Sequence, residues 1–490
     1  MGLAEELDRA AVVDADGVLD GAALRRAARA FATALTAAGV GDGGVVGLAL
    51  GSARALVPAL AAAWEIGATV VLVPPGLGGA ELAAVAHGLA PRLIVAEAAH
   101  AARIAGATGG TPAALQIDRE PSLALVARDG EERSAALAGA ALVKLSSGST
   151  GAPKAVVLTH ANVAAESAGI VAALGLRPGD RVTSPVPLTH SYGFDLGVLA
   201  VLASGAVLEQ RPALSPRRAL ADMAAATVYL GVPAIYRVAA DAPVSAPPEL
   251  SGARYLLSCT APLPADLIRR FAARFGAPIC QHYGSSETGA VANHSPERVL
   301  EHPDSVGRAI AGVAVHVDES TGELVVRGPA VAAGYALGAP AGPSPLSGGM
   351  FRTGDLAEID GEGFVRIRGR RDSVINVGGL KVSPQEVAEA LERHPAVREA
   401  AVIGMPDGRG DDIVAAAVVL ERRVANADLI AHCGGELAEY KVPRRIVVLD
   451  ELPVGPTGKV RLSAEDLREV VPRSENPGRG IRHHRRDRRA

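Results

Sequence analysis

The sequence predicts an α/β protein: a large N-terminal domain of βαβ sheets with a β-rich subdomain, followed by a small α+β C-terminal domain. Three observations carry that prediction. Up to residue 210, apolar runs of strand length alternate with segments of helical spacing, the pattern of parallel sheet with helical crossovers. From 304 to 369 the helices give way to short strands and turns. Beyond Asp372 both element types return in a compact stretch. At 490 residues the chain exceeds one hydrophobic core, so at least two domains are required.

The elements follow in order. Leu24, Ala28, Phe31 and Leu35 recur at helical spacing, with Gly39 as a stop. VVGLAL (45–50) reads as a buried strand, 56–66 as a helix, TVVLV (69–73) as a strand, a helix starts at Glu81, and LIV (93–95) is a strand. After a loop at Ser146 come the strand 156–158, a helix after His160, a strand near Val182, a helix after Tyr192 and the strand AVLEQ (206–210). VAVHV, ELVVRG and FVRIRG form the β-rich subdomain. The helix PQEVAEALERH and the strands AAVIG, IVAAAVVL and RRIVVLD form the last domain. The boundaries fall at 1–370, 371–472 and a tail, 473–490. Hydrophobic residues make up 49% but aromatics only 3%, so the core must rest on Ala, Val and Leu.

Charge and cysteines narrow the setting. The formal charge is −4, but the tail carries seven arginines against Glu475 and Asp487. Without aromatics among them, they read as a solvated, disordered terminus. Neither nucleic acid nor membrane is an expected partner. The three cysteines form no CxxC pair, which suits a reducing compartment. The N-terminus lacks an apolar signal core, and 328–351, the longest uncharged stretch, is broken by Gly and Pro. A soluble, cytoplasmic protein is the expectation.

The strongest local signal is SSGSTGAPKAVVLTH, 146–160. Glycines let a backbone approach an anion closely, while hydroxyls and amides donate to phosphate oxygens. Ser146, Ser147, Gly148, Ser149, Thr150, Gly151 and Lys154 are therefore candidate nucleotide-binding residues. The spacing is not that of a Walker loop, and the segment precedes a strand rather than opening a helix, which argues against a kinase or generic ATPase.

This string resembles the superfamily of acyl-CoA synthetases, peptide-synthetase adenylation domains and firefly luciferase, and further motifs of that superfamily follow in order. PLTHSYGFD (187–195) places His190 where the family has a His or aromatic near the reacting carboxylate. In QHYGSSETG (281–289) the resemblance implies that Tyr283 stacks on adenine beside Gly284, Thr288 contacts the α-phosphate and Glu287 ligates Mg²⁺, a fitting task for a hard carboxylate oxygen. In FRTGDL (351–356), Asp355 would accept both ribose hydroxyls. In IRGRRDSVINVGGLKVSPQEV (367–387), Arg370 would bond the ribose and Asp372 would be the hinge. Gly378 and Gly379 would line the path of a thiol arm. PVGPTGKVRLS (453–463) supplies Lys459 as the catalytic lysine, and the small C-terminal domain would be mobile. Glu287 and Lys459 together argue against a catalytically dead relative. The resemblance covers about 20–470.

The implied reaction is ATP-dependent activation of a carboxylic acid as its acyl-AMP, with transfer to coenzyme A. The alternative acceptor is the phosphopantetheine of a carrier protein, loaded by a free-standing adenylation enzyme. Amino-acid-activating relatives place an Asp just after the His190 position. Here Ser191 stands there, and a buried ammonium without a countercharge is costly, so an acyl or aryl acid is favoured. The pocket expected around 258–261, including Cys259, and around 289–291 is small and neutral.

Overall fold

The computed structural model describes residues 3–117, 123–127, 135–147, 153–212, 215–244, 248–339, 344–377, 380–406, 412–454 and 460–467. They form two compact units, one of residues up to Asp372 together with Val454, the other of Ser373–Pro453 with the described residues from Val460 on.

Within the first unit, the strands Val45–Ala49, Thr69–Leu72, Leu93–Glu97 and Ala140–Ser147 run parallel, as the helix–strand alternation predicts. The flanking strands do not. Pro153–Thr159 turns back antiparallel on Ala140–Ser147, with Ser146 opposite Lys154 and Ser147 opposite Pro153. The hydroxyl-rich segment thus links two neighbouring strands of one sheet. Gly148, Ser149, Thr150 and Gly151 lie outside the described residues.

A second sheet has the parallel strands Arg181–Ser184, Val207–Gln210, Val228–Gly231, Tyr255–Ser258 and Ile279–Ser285. Ala11–Asp14, which the sequence pattern did not mark, joins it parallel to Val207–Gln210. Its Asp14 pairs twice with Arg54, at 2.9 and 3.0 Å, in a partly buried contact.

The β-rich part is antiparallel: Ala314–Val317, Glu323–Arg327, Met350–Ile359 and Val365–Arg370, with Asp355 in register with Arg370. Alanine carries much of the packing. The helix Ala53–Glu65 buries Ala53, Ala55, Ala59, Ala61, Ala62 and Ala63 together with Leu56 and Leu60. Small side chains let it sit between layers at close range, where a bulky side chain would force them apart.

The second unit has Val397–Pro406 antiparallel to Asp412–Leu420, which pairs parallel with Arg445–Leu449. The helix Pro384–Glu392 starts at Ser383, whose hydroxyl accepts from the Glu386 amide, and Pro384 occupies its first turn. It buries Val387, Ala390 and Leu391 in a core with Val402, Val414 and Leu429. The strands Ile375–Val377 and Leu380–Val382 pair as a hairpin, but Gly378 and Gly379 between them lie outside the described residues, as does Lys459. No helix among the described residues is long and apolar enough to cross a membrane.

Candidate active site

Motif residues from the segments 187–195, 281–289, 351–356 and 367–370 meet around one turn of the first unit. Ile279–Ser285 and Gly289–Asn293 are antiparallel strands with a register shift at Tyr283/Gly284. Their tight connection demands glycine at both ends. A Cβ on Gly284 would lie 2.3 Å from the Gly289 carbonyl oxygen. Gly289 itself has φ +64°, and a Cβ there would lie 2.6 Å from the Glu166 carboxyl. Inside the turn the Thr288 hydroxyl accepts from the Ser285 amide at 3.2 Å and donates to the Gly289 carbonyl at 3.0 Å. In this arrangement Thr288 holds the turn, and its side chain is only 2% exposed.

Three contacts tie the turn to its surroundings. Tyr283 donates its hydroxyl to Asp355 Oδ2 at 2.5 Å, and Arg370 Nη1 lies 3.3 Å from Asp355 Oδ1. The same Arg370 nitrogen donates to the Thr353 carbonyl at 3.3 Å. The residues expected at adenine and ribose are therefore brought together. Burial, then the Asp355 carboxylate, pushes the Tyr283 phenol well above its usual range, so it stays a donor. Second, Tyr335 donates to Glu287 Oε1 at 3.0 Å. Burial, then Glu287, raises the Tyr335 phenol as well, so the carboxylate is held by a permanent donor. Sequence reading did not single out Tyr335. Third, Ser191 Oγ lies 2.7 Å from Ser286 Oγ, joining the His190 segment to the turn.

His190 caps the short helix Ser191–Gly193, its Nδ1 accepting from the Tyr192 amide at 3.3 Å. Next to it Tyr192 stacks on His282, ring centroids 6.0 Å apart. Burial, opposed by the Asn293 hydrogen bond and Glu166, brings His282 down to about 4, so the ring is neutral at physiological pH. At the end of Tyr255–Ser258, Cys259 is half-buried. Burial pushes its thiol up to about 12, which leaves it a packing group rather than a nucleophile. The following Thr260 has φ +78°, an outlier for a β-branched residue and a mark of a constrained segment.

Behind this surface lies a cluster that motif reading passed over. Lys144, on Ala140–Ser147, is 2% exposed and contacts Glu166 at 3.1 Å and Asp195 at 2.6 Å. Burial pulls the ammonium down, but the Asp195 and Glu166 carboxylates outweigh it and keep Lys144 charged. Burial, then the neighbouring Glu166, raises Asp195 well above the carboxylate range. A lone lysine inside the apolar run ALVKLSS was the sequence signal for this cluster.

The chemistry of the donors also bears on a metal. Among the described residues no group of three or more His, Cys, Asp or Glu could enclose one. Glu287 offers a single oriented carboxylate. That fits Mg²⁺, which is commonly held by one or two carboxylates plus substrate phosphates.

Comparisons with known proteins identify the family. Residues 3–336 match the family model described as AMP-binding enzyme, and 386–459 match that of the AMP-binding enzyme C-terminal domain. The sulfoacetate–CoA ligase of Cupriavidus necator is 36% identical over 336 residues, 66% of this chain and 65% of that ligase. Thus the chain spans less than two thirds of that relative's length. The feruloyl-CoA synthase of an Amycolatopsis species is 31% identical over 453 residues, covering 89% of this chain and 91% of that one. Among solved structures, ATP-bound MatB from Rhodopseudomonas palustris superposes with a TM-score of 0.82 at 26% identity, over 94% of this chain and 97% of that one. By the length of the first match and its continuation in the second, the chain belongs to the AMP-binding enzyme family.

Proposed function

We propose that the protein is an AMP-forming acid–thiol ligase: it activates an acyl or aryl carboxylic acid with ATP and transfers the acyl group to coenzyme A. The observation that carries the reading is the Tyr283–Asp355–Arg370 constellation beside the Glu287–Tyr335 pair. A carboxylate with an aromatic ring and a guanidinium around it suits a nucleoside: ring for the base, paired oxygens for the ribose diol. The names of the ligase relatives support coenzyme A as acceptor.

In this reading the acid's carboxylate attacks the α-phosphorus of ATP. The bond to the bridging oxygen breaks, pyrophosphate leaves and a mixed anhydride forms. The thiol then attacks the acyl carbon and AMP departs. Glu287 would hold Mg²⁺, which when bound neutralises developing charge on the phosphoryl oxygens. Lys154 and the hydroxyl-rich segment supply further donors to those oxygens, and Lys459 approaches them during the first step. His190 and Ser191 border the acid. Asp372 is the hinge, and Gly378 and Gly379 line the thiol's path. Ser191 stands in place of an acid, and Asp195 is engaged by Lys144, so neither serves to pair a substrate ammonium.

The test is product analysis over a panel of fatty, aryl and amino acids, with and without coenzyme A. The expected result is AMP and pyrophosphate with an aryl or acyl acid, and thioester only with coenzyme A present. ADP and phosphate, or turnover confined to amino acids, would refute it.

A further inference from the structure

The Lys144–Glu166–Asp195 cluster takes no part in the reaction just described, yet it joins the segments that carry the site. Lys144 stands on the strand that leads into the hydroxyl-rich segment, two residues before Ser146. Glu166 stands on the helix His160–Leu174, which follows the return strand, and its carboxyl fills the space beside Gly289. Asp195 stands five residues after His190, in the π-helical turn Phe194–Leu199. All three are buried, with relative exposures of 2%, 2% and 3%.

Charge decides the state of the cluster. One ammonium and two ionised carboxylates would leave a net negative charge out of water, at a cost of several kcal/mol. Protonation of one of the two carboxyls removes it, as in other carboxylate clusters. Among the described residues, the titratable groups facing the cluster from other elements do not supply a second cation. His282, on Ile279–Ser285, is neutral, while the Cys259 thiol and the Tyr192 phenol stay protonated.

We propose that Lys144, Glu166 and Asp195 form a charge-neutral clasp that positions the His190–Ser191 acid-binding segment against the Gly289 turn. The inference rests on the acid-activating reading of the site. The three side chains are positioning residues. They act through the segment carrying His190 and through the turn carrying Glu287 and Thr288. The clasp also keeps Asp195 out of reach of a substrate cation.

The experiment uses the full chain and the variants E166Q, K144M and D195N. Acid-dependent pyrophosphate release gives KM for acid and for ATP, and thermal melting is followed from pH 5 to 9. K144M, which removes the cation, should raise the acid KM about tenfold or more while moving the ATP KM less than about twofold, the scale of removing one charge-assisted hydrogen bond, whereas E166Q leaves Lys144 paired with Asp195 and should raise it less than about threefold. D195N keeps the shape and carries no charge, so it should raise the acid KM less than about threefold, within the cost of a near-isosteric change. In the wild type, a carboxyl whose folded pKa lies above its unfolded value loses stability as pH rises above the ordinary aspartate range. The melting temperature of D195N relative to wild type should therefore climb from pH 5 to pH 9. A difference that stays flat or falls overturns the charge-neutral clasp. Equal rises in acid and ATP KM overturn the positioning role. If even the wild type releases no pyrophosphate with any acid, the functional reading fails, and the melting profiles alone still decide the proton.

Discussion

Single side chains in this site work by being held. Asp355 is fixed by Tyr283 on one oxygen and Arg370 on the other, so its acceptor geometry exists before any ligand arrives. Asp355→Ala should raise the KM for ATP by about tenfold or more, the scale of a charge-assisted hydrogen bond, read from initial rates at saturating acid. An unchanged KM would remove the ribose assignment. Tyr335→Phe should leave nucleotide binding intact while raising the Mg²⁺ concentration needed for half-maximal rate, because Glu287 loses its fixed donor. Cys259 offers a cheap control. With burial pushing its thiol up to about 12, Cys259 stays a thiol at pH 8. Native protein treated with iodoacetamide at that pH should keep its activity, and intact mass should show no adduct on Cys259.

At the scale of elements, the decisive feature is the 284–289 connection. Gly289→Ala would place a methyl group 2.6 Å from the Glu166 carboxyl at a positive φ. About 1–3 kcal/mol of stability should disappear, from strain and overpacking together, measured as a lower denaturation midpoint with activity reduced further. His282 adds a pH dependence. Its folded value of about 4 lies below the unfolded value, so its contribution is present above about pH 6.5 and is lost as pH falls towards 4. His282→Gln should flatten that acidic limb of stability. Much at this scale was legible in the sequence. The strand–helix alternation marked the parallel strands, and the motif QHYGSSETG marked the segment that carries the turn. What stayed hidden were pairings between distant segments. Tyr335 reaches Glu287 across 48 positions, and nothing local to GYAL distinguishes a tyrosine at a carboxylate from one in a core. The antiparallel edges and the strand Ala11–Asp14 were equally hidden, since partners in a sheet are chosen by the whole fold rather than by the strand's own pattern.

At the scale of the molecule, the chain divides between Asp372 and Ser373, next to the residue that the resemblance named as the hinge. Two chemical steps with different nucleophiles, a carboxylate and then a thiol, need different groups at the same reacting centre. On the proposed reading, a change of domain arrangement would supply that exchange. Asp372→Pro fixes one backbone angle at the division, and should block thioester formation while sparing acyl-AMP formation. Comparable loss of both steps would count against a hinge there. In the sequence, the texture changes from short strands to mixed elements near residue 370, and the motif order ties both parts to one reaction. The Lys144 clasp was not readable as such, because its three members come from separate segments and only the folded chain brings them together.

The most direct measurement is acid-dependent ATP–pyrophosphate exchange in the wild type and in Lys459→Ala side by side, with nucleotide binding measured on both. Exchange in the wild type that falls by about 100-fold or more in the variant, with ATP binding within a few-fold, is the predicted result for a transition-state cation. Near-normal exchange without Lys459, or none in the wild type with any acid, would contradict the account.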